Sequence, residues 1–358
     1  MPSDAIDPLS TLQGLPRGAT VLLLGGTDTG KTTFIHQAVT SLTAVGLTVA
    51  LVVCDLGQSE IGPPGTVGAA LARPGGEYRT LRSLTPSAAY FVGAISPVRH
   101  LLDVCVGAVQ MARVVKKQRP DLLLVDTDGF VAGPVARTYK RRLAELLLPG
   151  VVLAFARGDE LDPLLTVFAH LETPNVRRIV VSASVQRKTS ATRVARRSSR
   201  FLSALAGAET VVFSFDDVGL QNTLLGAGTP LPHHLLQFLS QSLRRPVLHA
   251  ERGAAGLYVV VDGDRWDASG AAAIESHFQT RSLTIVAAQK FSPLLVGLIG
   301  VSGMLLGLGL IESLDFGRRT VSILTPCRKP RAVAQIWLGS LRLRPDGREL
   351  GELRPGEV

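Results

Sequence analysis

From residue 20 to about residue 207, apolar residues come in short unbroken runs that alternate with longer stretches of helical spacing. Short apolar runs bounded by turn residues read as buried strands, and recurrence at three and four positions reads as helix. The pattern predicts strands at Thr20–Leu24, Thr48–Asp55, Leu122–Asp126, Val151–Phe155 and Arg178–Ser182. Between them it predicts helices at Lys31–Ala44, Val98–Lys117, Gly133–Leu148 and Glu160–Leu171. Such alternation builds a parallel sheet covered by helices. The segment Leu56–Ser96 is rich in Gly and Pro and reads as a long irregular loop at the carboxyl edge of that sheet, where such folds bind ligands. After Ala208 the pattern changes to short apolar runs separated by turns: Tyr258–Val261, Leu283–Ala288, Leu294–Ile299, Leu305–Leu310, Thr320–Leu324 and Ile336–Leu343. The expected organisation is an N-terminal tail at 1–19, an α/β domain at 20–207 and a β-rich domain at 208–358.

One segment imitates a membrane span. Phe291–Ile311 has no charged residue and the length to cross a bilayer. Its five glycines and the turn-like Val301-Ser302-Gly303 predict instead two buried strands paired across that turn.

Residues 25–32, Gly-Gly-Thr-Asp-Thr-Gly-Lys-Thr, are a complete G-x-x-x-x-G-K-[ST] motif lying between a predicted strand and a predicted helix. Glycines let successive backbone N–H groups curl around a phosphate, and the helix N-terminus adds its dipole. The expected nucleotide-binding residues are Gly26, Thr27, Asp28, Thr29, Gly30, Lys31, Thr32 and Thr33. Lys31 brings a point charge to the β and γ oxygens, and the Thr32 hydroxyl is a ligand for Mg²⁺. The fold class is therefore α/β, a P-loop NTPase-type parallel sheet flanked by helices, with a C-terminal mainly β domain.

Two strand tips carry acids. Asp55, at the tip of a strand expected beside the P-loop strand, is placed to bind Mg²⁺ or to receive a proton from an attacking hydroxyl. Gln58, three residues on, could orient that hydroxyl. Asp126 ends an apolar run in the manner of a Walker B acid and competes with Asp55 for the metal. After it come Thr127, which could close over the phosphates, and Phe130, which reads equally as a platform for stacking a base or as a core aromatic. Between Glu172 and Glu209 there is no acidic residue and there are eight basic ones. Over Lys188–Leu205 a helix would put Arg193, Arg197 and Arg200 on one face, a self-repelling arrangement suited to clamping phosphate as a lid.

Composition narrows the partners. The formal charge of +9 and a hydrophobic content of 46% describe a basic protein with ample material for a core. A polyanionic partner fits that charge. Cys54, Cys105 and Cys327 show no C-x-x-C spacing, which argues against a zinc site or a disulfide framework and for a reducing, cytoplasmic setting. The first sixteen residues lack the apolar stretch of a signal peptide.

Taken together, the P-loop at 25–32, Asp-Leu-Gly-Gln-Ser-Glu-Ile-Gly-Pro-Pro-Gly at 55–65, Phe-Val-Gly-Ala-Ile-Ser-Pro at 91–97, Asp-Thr-Asp-Gly-Phe at 126–130 and the basic stretch Lys188–Phe201 resemble the polynucleotide 5′-hydroxyl kinases of the RNA-processing type. The likeness runs from about Thr20 to Leu205 and continues more weakly to a late strand pair around Leu310–Pro326. It implies transfer of the γ-phosphate of ATP or GTP, with Mg²⁺, to the 5′-hydroxyl of single-stranded or end-exposed RNA or DNA. It further implies that Asp55 activates the hydroxyl, that Lys31 and Thr32 hold phosphate and metal, that Thr127 clasps the nucleotide and that Arg193 and Arg197 are lid arginines. Gln58, Phe130 and Arg200 are the expected substrate-binding residues, and Thr32, Asp55 and Asp126 the metal set. Members often carry Trp where this chain has Phe130. Two rival readings are a catalytically silent nucleotide-bound scaffold and a small-molecule nucleoside kinase.

Overall fold

A computed structural model of the chain describes residues 8–181, 185–254, 256–354 and 356–358. The chain forms two compact units, Met1–Arg197 and Ser198–Val358.

In the first unit the elements are α1 (Pro8–Gln13), β1 (Ala19–Gly25), α2 (Lys31–Ala44), β2 (Val49–Val53), β3 (Thr66–Ala72), β4 (Pro86–Phe91), α3 (Leu101–Lys116), β5 (Leu122–Asp126), α4 (Gly133–Leu147), β6 (Val151–Ala156), α5 (Asp162–Leu165) and β7 (Asn175–Val180). A further helix, α6 (Ser190–Ala204), continues past the end of this unit. One seven-stranded sheet runs in the order β4-β3-β2-β5-β1-β6-β7. Strands β2, β5, β1, β6 and β7 are parallel. The inner strands are unbroken apolar runs because helices cover both faces, so neither face needs polar residues. At the edge, β7 alternates and exposes Arg177, one of the charges that discourage pairing with another chain.

The structure corrects the reading of Leu56–Ser96 as an irregular loop. Within it, β3 pairs antiparallel with β2, and β4 antiparallel with β3, so the segment widens the sheet. Its strands are rich in Ala and include Gly68 and Pro86, residues poor in strand signal, and β3 is specified by its place between neighbours. Gly68 in β3 is required there, because a Cβ would run into the Ile61 carbonyl. A second correction concerns Glu160–Leu171, where only Asp162–Leu165 is α-helical, followed by a 3₁₀ turn at Thr166–Phe168. Ser182, the end of the expected fifth strand, lies outside the described residues. In the stretch expected as a tail, Leu12 of α1 is fully buried in the core with Val21, Leu23, Ile35 and Leu124.

The second unit holds β8 (Glu209–Ser214), β9 (Gly219–Gln221), β10 (Thr229–Pro230), α7 (His233–Leu243), β11 (Val247–Gly253), β12 (Gly256–Val261), α8 (Gly270–Phe278), β13 (Leu283–Ala287), β14 (Leu294–Gly300), β15 (Leu305–Asp315), β16 (Thr320–Thr325), β17 (Val333–Leu343) and β18 (Glu349–Glu352). Two sheets form, β10-β11-β12-β13 and β18-β17-β14-β15-β16-β8, with β9 beside β17. The charge-free stretch Phe291–Ile311 is the antiparallel pair β14–β15, which turns at Gly303 in the left-handed region, φ +76. Among the described residues no helix is long and apolar enough to cross a membrane.

Candidate active site

The carboxyl ends of β1, β5 and β2 converge because β5 lies between the other two. Leu23 of β1 and Val53 of β2 are both in register with Asp126 at the end of β5. Sequence reasoning put the Asp55 strand beside the P-loop strand. The structure places β5 there and β2 one strand further out, so Asp126 is the acid adjacent to the P-loop.

Beyond β1 the chain turns through Asp28, φ +56, and Gly30, φ +86, into α2. No side chain among the described residues caps this helix start, which leaves its first N–H groups for an anion. The Lys31 ammonium is buried and donates to the carbonyls of Gly25 (2.7 Å) and Gly26 (2.9 Å), so it braces the loop it serves. Burial lowers its pKa, while the Asp126 carboxylate opposes that shift. The Thr32 hydroxyl donates to Asp126 Oδ2 at 3.1 Å. The other oxygen, Asp126 Oδ1, is buried without a hydrogen-bond partner among the described residues. Burial raises this carboxyl's pKa to about 6, against the pull of Lys31. A buried, unpartnered carboxylate oxygen beside a threonine hydroxyl is a donor set that fits Mg²⁺, which uses one or two protein oxygens plus phosphates and water.

Asp55 follows β2, and its Oδ1 accepts from the N–H groups of Gly57 (3.1 Å) and Gln58 (2.9 Å). Burial raises its pKa as well, partly offset by the Gln58 N–H. The Gln58 amide donates to the Gly57 carbonyl (2.9 Å) and to the Arg193 carbonyl (3.2 Å), tying the Asp55 turn to α6. Arg193 points back, its Nη1 lying 2.9 Å from Asp28 Oδ2, which also accepts from the Lys188 N–H at 2.9 Å. Arg196, which the sequence reading passed over, pairs with Glu60 at 2.9 Å.

These groups line one cleft of about 320 Å³: Thr27 to Thr33, Asp55, Gln58, Asp126, Thr127, Gly129, Lys188, Arg193 and Arg196 are among its walls. Gly26 contributes its carbonyl to Lys31 from behind. Three further expected residues are not on the walls. Phe130 is half-buried outside the cleft, Arg197 has its guanidinium near the Gly57 turn (3.7 Å from where a Cβ would sit), and Arg200 belongs to the stretch of α6 assigned to the second unit.

The turn after β5 presses directly on the P-loop. A Cβ on Gly129 would meet Thr27, with the Thr27 nitrogen only 2.7 Å away. Gly129→Ala is therefore expected to displace the phosphate cradle and to lower kcat/KM by about 10²-fold, the scale of a misplacement of about 1 Å. Kinetics alongside circular dichroism check this, the fold being retained.

An anion cradle at a helix start, a Walker B acid on the neighbouring strand and a second carboxylate whose turn is bonded to an arginine-bearing helix define a P-loop phosphotransferase. Comparison with known proteins agrees. The family model described as "mRNA cleavage and polyadenylation factor CLP1 P-loop" matches residues 25–206. A polyribonucleotide 5′-hydroxyl-kinase of Pyrococcus furiosus is 30% identical over 353 residues, covering 99% of this chain and 96% of that one. The polyribonucleotide 5′-hydroxyl-kinase of Thermococcus kodakarensis is 30% identical over 358 residues, covering 100% of this chain and 97% of that one. A chain in the wild-type Clp1p–Pcf11p complex shares the fold, with a TM-score of 0.57 at 14% identity, covering 93% of this chain and 76% of that one. The chain belongs to the CLP1 P-loop family.

Proposed function

We propose that this protein is a polynucleotide 5′-hydroxyl kinase that moves the γ-phosphate of ATP or GTP onto the 5′-hydroxyl end of RNA. The observation that carries the reading is the presence of two different carboxylates in one phosphate cleft. Asp126 accepts from the Thr32 hydroxyl, a pair suited to a metal, and Asp55 lines the same cleft at the end of the next strand out, a place suited to an acceptor hydroxyl. A protein that only held nucleotide would need the first and not the second. The relatives named for polyribonucleotide 5′-hydroxyl kinase activity align across both units, which favours a polynucleotide over a nucleoside as acceptor.

The P-loop N–H groups and Lys31 fix the β- and γ-phosphates. The 5′-hydroxyl oxygen attacks the γ-phosphorus in line, its proton passes to the Asp55 carboxylate, and the bond to the β-bridging oxygen breaks to release the nucleoside diphosphate. Because burial raises the Asp55 pKa, its carboxylate is a better proton acceptor than an exposed aspartate. Mg²⁺, held by Thr32 and Asp126, would neutralise charge on the phosphates. Arg193 faces the equatorial oxygens, where a loose transition state concentrates charge. Three free thiols and the basic charge fit a reducing cytoplasm and an RNA partner.

Offering labelled γ-phosphate from ATP and GTP to a 5′-hydroxyl oligoribonucleotide, its DNA counterpart, a nucleoside and water tests the reading. Transfer to the nucleoside alone, or to nothing, would overturn it. The two acids separate in the same assay. Asp55→Asn is expected to lower kcat by about 10²-fold or more while nucleotide binding persists. Asp126→Asn is expected instead to weaken nucleotide affinity in Mg²⁺ and to leave the Mg²⁺-free affinity nearly unchanged. Interchanged phenotypes would reverse the two roles.

A further inference from the structure

The turn that carries Asp126, Thr127 and Gly129 is anchored from behind by a set of buried polar groups that the transfer reaction does not touch. Asp128 is 4% exposed. Its Oδ2 accepts from the Tyr139 hydroxyl at 2.7 Å, and its Oδ1 from the Phe130 N–H at 2.9 Å. Lys140, fully buried, places its ammonium 3.0 Å from Asp128 Oδ1 and 3.1 Å from the Asp128 carbonyl. The ammonium also lies 4.5 Å from the centre of the Tyr139 ring. Two adjacent residues of α4 thus grip one aspartate by both carboxylate oxygens and by its backbone.

Taking two charges out of water costs several kcal/mol per ion, and an apolar set of similar volume is often as stable. A buried ion pair is therefore a weak source of stability, and what it does supply is geometry. Here the geometry has a direct use. The residue before Asp128 donates its hydroxyl to the Leu23 carbonyl of β1 at 2.7 Å, and the residue after it packs on Thr27 of the P-loop. Rotation of Asp128 would carry Thr127 and Gly129 away from the phosphates.

We propose that Tyr139 and Lys140 are positioning residues for nucleotide: by holding Asp128 they set the Asp126–Phe130 turn against the P-loop. This rests on the kinase reading above, since it presumes that the cleft takes a nucleotide.

The test uses the full chain and steady-state transfer from ATP to a 5′-hydroxyl oligoribonucleotide, with thermal unfolding measured in parallel. Tyr139→Phe keeps the ring and removes one hydrogen bond to a carboxylate, so KM for ATP is expected to rise about tenfold. KM for the oligonucleotide should stay within twofold and kcat should fall less than KM rises. Lys140→Met leaves Asp128 buried and unpaired, so the melting temperature should drop together with ATP affinity. Lys140→Met combined with Asp128→Asn removes both charges, and should recover the melting temperature while KM for ATP stays raised. A purely structural role predicts the opposite split: lower melting temperatures, with KM for ATP within twofold of wild type in Tyr139→Phe and restored in the double variant. Either result overturns the proposal. If the wild-type chain transfers no phosphate while binding ATP by calorimetry, the kinase reading fails, and the ATP affinities of the same variants still decide the positioning role.

Discussion

Lys31→Met is expected to reduce turnover by about 10³-fold or more while the protein remains folded. The ammonium is the one cation within residues 25–32, and a single preorganised donor aimed at developing charge contributes about 10²–10³ in rate even when it is neutral. The side chain is only 7% exposed and braces the loop through the carbonyls of Gly25 and Gly26. Two consequences follow from the burial. Methionine is a better replacement than alanine, because it keeps the stem volume and leaves only two carbonyls for water to satisfy. Since burial lowers the Lys31 pKa, the charged form is held less comfortably in the fold than in the unfolded chain, and losing it should cost little stability. Both kcat and nucleotide KM should suffer, because Asp126 and Asp55 would then face the incoming phosphates with less compensation. Single-turnover transfer and thermal unfolding measure the two effects. Near wild-type transfer would remove the P-loop from the active site.

Arg193→Ala is expected to lower kcat by about 10³-fold or more with little change in nucleotide KM. An arginine that meets the equatorial oxygens acts chiefly in the transition state, and such residues contribute about 10³–10⁵. Arg193 is set for this by its neighbours. It stands in the first turn of α6, its carbonyl is held by Gln58, and its guanidinium rests on Asp28 within the P-loop. The Asp28 carboxylate that holds the guanidinium also accepts from the Lys188 N–H at 2.9 Å. Arg196→Ala removes a partly exposed ion pair with Glu60 and should change kcat by less than about tenfold. Arg200→Ala should weaken acceptor binding in a salt-dependent way. Steady-state kinetics at two salt concentrations distinguish these patterns. Equal, modest and salt-sensitive losses at all three positions would reduce α6 to a basic face that attracts nucleic acid.

Contiguity decided how much was visible in the sequence. The P-loop, α2 and the parallel strands were legible because their determinants are neighbours along the chain: glycines at fixed offsets, an apolar run before them and a helical repeat after. The pair β14–β15 was legible for the same reason, its glycines and turn breaking a run that would otherwise suit a membrane. Asp55 and Asp126 were visible as acids at strand tips. Which of them stands next to the P-loop strand was hidden, because it follows from the order β2-β5-β1, which depends on hydrogen bonds between segments about seventy and about one hundred residues apart.

Only the tertiary structure made strands of Thr66–Ala72 and Pro86–Phe91, whose small residues gain their strand character from the edge they pair with. It also exposed Arg196 as a cleft residue and withdrew Phe130 from the walls, since a helix face or a turn is aimed by what packs behind it. Tyr139 and Lys140 mark the limit most clearly. In the run Thr-Tyr-Lys-Arg-Arg at 138–142 nothing local distinguishes Lys140 from the arginines beside it. The sequence by itself determined that this chain builds a phosphate cradle with acids and arginines at hand. The fold decided which acid stands beside the P-loop strand and which lysine is buried against a carboxylate, because a buried charge is defined by its partner, and that partner lies on another element.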